Sequence, residues 1–190
     1  MINIAVFASG SGSNAERIFD YFKNNSLVNI KMFLTNNHKA FVIERAKKLN
    51  VQCEIFNKDA FYNSDTILNL LKNNNIDFIV LAGFLLLVPE NLINQYPNKI
   101  VNIHPALLPK YGGKGMYGTN VHKAVKDAGE SETGISIHFV NKKYDEGAII
   151  FQASCVVDKK DSVDDIASKI HELEYEHFPK VLQKVLLKLL

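Results

Sequence analysis

The chain opens on an apolar run, residues 2–8 with Asn3 its one polar member, that passes directly into Ser9-Gly10-Ser11-Gly12-Ser13-Asn14. A run with no polar alternation predicts a strand buried on both faces, as in a parallel sheet covered by helices. Beyond the turn, Ala15, Ile18, Phe19 and Phe22 recur at helical spacing. Strand, glycine-rich turn and helix in that order confine the fold to the α/β class. The same order aims backbone amides and a helix N-terminus at a point where an anion can sit. The turn lacks the lysine of a Walker loop, and Ala15 stands where a dinucleotide fingerprint has its third glycine. Two readings stay open: a tight turn with helix caps, or a cradle for a phosphate monoester.

Strand and helix patterns keep alternating. Further strands are expected at 30–35, 53–56, 78–82, 100–104, 134–140 and 148–157. Helices are expected at 40–49, 61–71, 90–96, 121–128 and from Asp161 or Ser162 to residue 190. Right-handed crossovers then imply a Rossmann-like, open, mostly parallel twisted sheet with helices on both faces. The short connection after residue 140 adds a C-terminal antiparallel strand pair. In the last helix Val181, Leu182, Val185, Leu186 and Leu189 form an apolar stripe, either core or interface. The length of 190 residues, with 47% hydrophobic and 22% charged, suits a single globular domain over 1–190. A net charge of +2, with Arg17 and Arg45 the only arginines, argues against a nucleic-acid partner. No apolar run reaches the roughly 20 residues that span a bilayer, and no signal pattern precedes the first strand, so no membrane partner and a cytoplasmic protein are expected. Cys53 and Cys155 are expected as buried free thiols, and no metal-ligand spacing occurs.

The chemistry-bearing stretch is 100–109, Ile-Val-Asn-Ile-His-Pro-Ala-Leu-Leu-Pro. Alternation puts Asn102 and His104 on one face of a strand, and Pro105 stops that strand directly after the imidazole. In an open parallel sheet the carboxyl end of a strand is where ligands bind. In the strand at 134–140, Ile135, Ile137 and Phe139 face one way and Ser136 and His138 the other, with His138 expected as a half-buried strand residue. After Gly83, the segment Leu85-Leu86-Leu87-Val88 is either core or an apolar wall for a flat organic ligand. Residues 111–118 carry Gly112, Gly113, Gly115 and Gly118, the composition of a mobile loop or lid. His38 sits in a polar turn and is expected in solvent. Asp145 precedes Glu146-Gly147 and by itself reads as a turn-former.

Together, Ala8-Ser-Gly-Ser-Gly-Ser-Asn14, Leu81-Ala-Gly-Phe84, Asn102-Ile-His-Pro-Ala-Leu-Leu-Pro-Lys110, Thr133-Gly-Ile-Ser-Ile-His-Phe-Val140 and Asp145-Glu-Gly147 resemble the phosphoribosylglycinamide formyltransferases. The resemblance runs from residue 2 to about residue 179. It implies transfer of a formyl group from 10-formyltetrahydrofolate, a cosubstrate rather than a bound cofactor, to the amine of glycinamide ribonucleotide in purine biosynthesis, without a metal. His104 would act as general acid and oxyanion partner, with Asn102 as oxyanion donor. Asp145 would favour the imidazolium and relay the amine's proton through water. Gly12, Ser13 and Asn14 match the phosphate turn and Glu174 the ribose contact, with Lys169 and His171 able to add charge nearby. Leu85, Leu86, Leu87 and Val88 match the folate pocket, which Asn102 also touches. Residues 1–100 would then form the nucleotide and phosphate half, and 101–190 the catalytic and folate half. Ser64 and Leu86 stand where some relatives carry arginine. The resemblance leaves monomer and homodimer open. The alternatives are a formyltetrahydrofolate hydrolase or transfer-RNA formyltransferase, both expected to carry an extra domain, and a nucleotide-binding module without chemistry.

Overall fold

The structure, a computed structural model, describes residues 1–189. It divides into two compact units, Met1–Val101 and Asn102–Leu190. The first contains β1 (Ile2–Phe7), α1 (Ser13–Phe22), β2 (Val28–Thr35), α2 (Val42–Leu49), β3 (Gln52–Ile55), α3 (Lys58–Tyr62), α4 (Thr66–Asn73), β4 (Phe78–Leu81) and α5 (Glu90–Gln95). Its strands run parallel in the order β3-β2-β1-β4. Ile4, Ala5, Val6 and every residue of β4 are buried, which is why both segments are apolar without alternation. Phe84 packs edge-on against Phe7 at 5.3 Å and Phe61 at 5.5 Å, with Phe56 beside them. Burying one such ring contributes about 1.5–3 kcal/mol.

The strand β5 (Ile100–His104) crosses the boundary between the units. The second unit continues with α6 (Thr119–Asp127), β6 (Glu132–Phe139), β7 (Ile149–Val156) and α7 (Val163–Leu187). Its strands follow the order β5-β6-β7, and β6 and β7 are antiparallel. The fold is α/β, with a mostly parallel sheet and a C-terminal antiparallel strand pair. Helix α7 packs on α6, β6 and β7. It starts on a capping box: Ser162 accepts from the amide of Asp165, whose carboxylate accepts from the amide of Ser162. Val181, Leu182, Val185 and Leu186 are buried core, while Leu189 is 45% exposed. Residue 190, the expected end of this helix, lies outside the described residues.

Several sequence expectations shift. The helix expected at 61–71 is two helices, α3 and α4. The polar trio Asn63-Ser64-Asp65 breaks it, and the Ser64 hydroxyl engages the Ala60 carbonyl and the Thr66 hydroxyl instead of continuing the helix. The second strand begins two residues early, at Val28. Cys53 and Cys155 are free but only half-buried. In β6, Ser136 and His138 are as buried as Ile135 and Ile137, so both faces of this strand are covered. His38 is exposed, as its polar turn implies.

Candidate active site

The glycine-rich turn is built at the carboxyl ends of three parallel strands of the first unit. The Ser9 hydroxyl, beyond β1, donates to Asn36 Oδ1 beyond β2 at 2.6 Å and accepts from the Leu85 amide beyond β4 at 3.0 Å. The Ser9 amide bonds the Gly83 carbonyl, and the Val42 amide bonds the Gly10 carbonyl. Gly12 is the N-cap of α1 with φ +71°, a conformation that favours glycine. A Cβ there would lie 2.5 Å from a Val42 methyl carbon, so α2 also presses on this position. Ser13 and Asn14 start the helix, with Asn14 buried. Arg45 reaches the turn from α2, bonding the Ser11 carbonyl at 2.8 Å and pairing with Glu16. Gly12, Ser13 and Asn14 thus form one continuous helix N-terminus.

In the second unit, Asn102, His104 and Asp145 come together, and His138 joins them. The His104 Nδ1 lies 3.5 Å from Asp145 Oδ2. The Asn102 amide nitrogen lies 3.5 Å from Asp145 Oδ1 and 3.1 Å from His138 Nε2. His138 Nε2 is 3.6 Å from the same carboxylate oxygen. The expectation of a half-buried strand residue is corrected here, because His138 is fully buried and faces the carboxylate. Its signal was the polar face it shares with Ser136 in a strand whose other face is core. Ser136 secures the segment after β5: its hydroxyl donates to the Ala106 carbonyl at 2.7 Å and accepts from the Leu108 amide at 2.9 Å. The Gln152 amide adds bonds to Ser136 and to the Leu108 carbonyl. Asp145 has φ +54°, a strained conformation that aspartate tolerates better than most residues. The amide of Gly113 donates to Asp145 Oδ2 at 2.9 Å.

The hydrogen-bond partners define the tautomers. A carbonyl only accepts, so the 2.7 Å contact from His104 Nε2 to the Tyr111 carbonyl places a proton on Nε2. Neutral His104 therefore turns an Nδ1 lone pair towards Asp145. By the same logic His138 donates from Nδ1 to the Phe139 carbonyl and accepts from Asn102 on Nε2. Burial pushes the His104 pKa below its ordinary value; Asp145 and the Tyr111 carbonyl push it back up without reversing the shift, and His138 lowers it further. Asp145 does favour the imidazolium, but His104 is only 3% exposed and desolvation outweighs the carboxylate, so the net shift is downward. For Asp145, burial alone would raise the carboxyl. His138 and His104 in their protonated forms, together with the Gly113 amide, more than cancel that, so the group is held below the usual range.

The remaining expected site residues are spread over both units. Glu174 is buried on α7, on the helix face of Ile170 and Phe178. Lys169 is occupied: its ammonium bonds Asp161 at 2.6 Å, Asp158 at 3.3 Å and the Val156 carbonyl at 3.1 Å. Acidic partners therefore hold the charge expected near a phosphate. His171 stacks on Tyr175, and burial keeps its pKa below normal. In the first unit Leu85 is 41% exposed, Leu86 and Leu87 are half-buried and Val88 is buried. The segment is therefore a partly open apolar surface instead of closed core, and the Tyr62 hydroxyl fixes it at the Leu87 carbonyl. Among the described residues no group of three or more His, Cys, Asp or Glu is arranged to hold a metal ion. No helix among them is long and apolar enough to cross a membrane.

The formyl transferase family pattern matches residues 2–182. The chain is 36% identical over 185 residues to the chloroplastic phosphoribosylglycinamide formyltransferase of Arabidopsis thaliana, covering 94% of this chain and 63% of that protein. It thus spans a little under two thirds of that relative. It is 33% identical to phosphoribosylglycinamide formyltransferase of Bacillus subtilis over 98% of this chain and 95% of the relative. The crystal structure of glycinamide ribonucleotide transformylase 1 from Geobacillus kaustophilus superposes with a TM-score of 0.88 at 36% identity, covering 98% of this chain and 99% of that one. The chain belongs to the formyl transferase family, among the phosphoribosylglycinamide formyltransferases.

Proposed function

We propose that the protein transfers the formyl group of 10-formyltetrahydrofolate to the amine of glycinamide ribonucleotide. The observation that carries this reading is the convergence of Asn102, His104 and Asp145 within 3.5 Å contacts at a strand end. The amine attacks the formyl carbon, a carbon–nitrogen bond forms, and the carbonyl electron pair moves to oxygen. The Asn102 amide stabilises that oxyanion, and His104 joins it once its Nδ1 carries a proton. Asp145 draws the proton from the attacking nitrogen through water and passes it to the Nδ1 lone pair of neutral His104. The resulting imidazolium, 3.5 Å from the carboxylate, gives this proton to N10 of the folate as the carbon–N10 bond breaks. One proton leaves the amine and one arrives on tetrahydrofolate, so the transfer balances without a metal.

Gly12, Ser13 and Asn14 hold the ribonucleotide phosphate on the amides at the N-terminus of α1, and Glu174 the ribose. Leu85, Leu86, Leu87 and Val88 line the pterin site. Ser64 and Leu86 give that side no arginine, so apolar contact and backbone groups carry folate recognition there. The test is an assay with glycinamide ribonucleotide and 10-formyltetrahydrofolate that follows tetrahydrofolate release. Turnover that requires both substrates is expected. Tetrahydrofolate released at the same rate without the ribonucleotide would indicate a hydrolase.

A further inference from the structure

The loop after β5 holds both members of the His–Asp pair. Its Tyr111 carbonyl accepts from His104 Nε2 at 2.7 Å, and its Gly113 amide donates to Asp145 Oδ2 at 2.9 Å. Between them, a Cβ on Gly112 would lie 2.7 Å from a Leu108 methyl carbon and 3.3 Å from the Asp145 Cβ, so the loop is pressed onto the pair. Tyr111 has φ +56°, a conformation an aromatic residue rarely takes without outside support. That support comes from Glu130: the Tyr111 hydroxyl donates to Glu130 Oε1 at 2.9 Å, and Lys110 bonds the same oxygen at 2.8 Å. Glu130 lies just before β6, so the loop is tied to the strand that also carries His138.

A neutral imidazole beside a carboxylate would ordinarily put its proton on the nitrogen facing that carboxylate. In His104 that tautomer would occupy Nδ1 and leave the ring unable to accept a proton there. We propose that Glu130 and Tyr111 are positioning residues: the Tyr111 carbonyl, fixed by the hydroxyl bond to Glu130, keeps the proton of neutral His104 on Nε2 and Nδ1 open as the working nitrogen. This rests on the reading of His104 as the group that carries the proton to the folate. Both residues act through the tautomer of His104.

The test uses the full chain, with nitrogen-15 NMR of His104 and steady-state kinetics on the wild type, Tyr111→Phe, Glu130→Ala and Glu130→Gln. In the wild type, neutral His104 carries its proton on Nε2. In Tyr111→Phe and Glu130→Ala a fraction moves to Nδ1, and kcat falls about 10-fold while both KM values stay within about twofold, because tautomer control affects the proton step and not binding. His104 faces Asp145, His138 and His122, and none of these changes. With the carbonyl's support loosened, His104 titrates at lower pH in these variants. Glu130→Gln keeps an acceptor oxygen and restores most of kcat. An Nδ1 proton on neutral wild-type His104, or an unaltered tautomer and kcat in Tyr111→Phe and Glu130→Ala, overturns the proposal. The NMR needs no turnover, so it judges the clasp separately from the reaction. A wild type that releases no tetrahydrofolate counts against the reaction alone.

Discussion

The turn at 9–14 and the network around Asp145 differ in what they are made of. The turn offers backbone: Gly12 at φ +71°, the first amides of α1, and hydroxyl and amide side chains that carry no charge. The network offers side chains that titrate, drawn from β5, β6 and the segment before β7. Among the described residues the buried polar groups divide the same way. Ser9, Asn14 and Thr35 of the first unit are uncharged; the second has uncharged Thr133 and Ser136 as well, but it alone holds the buried imidazoles and carboxylate, His104, His122, His138 and Glu174. A backbone cradle has a fixed dipole and no pKa, so it binds the same way over a wide pH range. Buried imidazoles and carboxylates can move protons, and their charge state is therefore sensitive to every neighbour.

Six substitutions, grouped into four predictions, probe that contrast, the strongest first. His104→Ala or Asp145→Asn should lower kcat by about 100- to 10,000-fold, the range of a lost general acid–base group. Thermal unfolding should hardly change, and near-normal turnover in either would remove the assigned role. Next comes acid stability. His122 is 4% exposed, and burial, with His171 and His104 nearby, lowers its pKa to about 4. The unfolded chain, with an ordinary value near 6.5, therefore binds the extra proton between the two. The associated stability is complete above about pH 6.5 and is lost as pH falls towards 4, by up to about 3 kcal/mol. Denaturant unfolding of His122→Gln across that window should show a visibly flatter acid limb. An unchanged slope would place the buried charge cost elsewhere.

The third prediction concerns the cradle. Asn14→Ala should raise KM for the ribonucleotide about 10-fold, the loss of one hydrogen bond to a charged group, and leave KM for the folate alone. The reverse pattern would exchange the two pockets. Gly12→Ala should have the same kinetic direction and also destabilise by about 1–3 kcal/mol, since Val42 has to move. The smallest effect belongs to Lys169→Met. With its ammonium already held by Asp161 and Asp158, KM for the ribonucleotide should change by less than about twofold.

Much of this architecture is legible without coordinates. Apolar runs mark β1 and β4 because those strands are covered on both sides, and the strand that ends on His104 is marked by Pro105. Side-chain alternation puts Asn102 and His104 on one face. Asp145 is different: nothing local separates it from a turn aspartate, and only resemblance to the family singled it out. His138 looked ordinary because burial of its face is a tertiary property, unavailable to a two-residue period. The break between α3 and α4 depends on whether Ser64 bonds backbone or solvent, a competition that helical spacing does not register. The Tyr111–Glu130 contact joins residues 19 apart by a single hydroxyl, so no periodicity encodes it.

The coupling of His104 to Asp145 is the centre of this account, and a double-mutant cycle measures it directly. Values of kcat are compared for the wild type, His104→Ala, Asp145→Asn and the double variant in the formyl-transfer assay. If the carboxylate works through the imidazole, the double variant should be no more than about threefold slower than His104→Ala alone. If the two losses multiply in full, the pair does not act as one unit, and the proton route from the amine through Asp145 and His104 to the folate is contradicted.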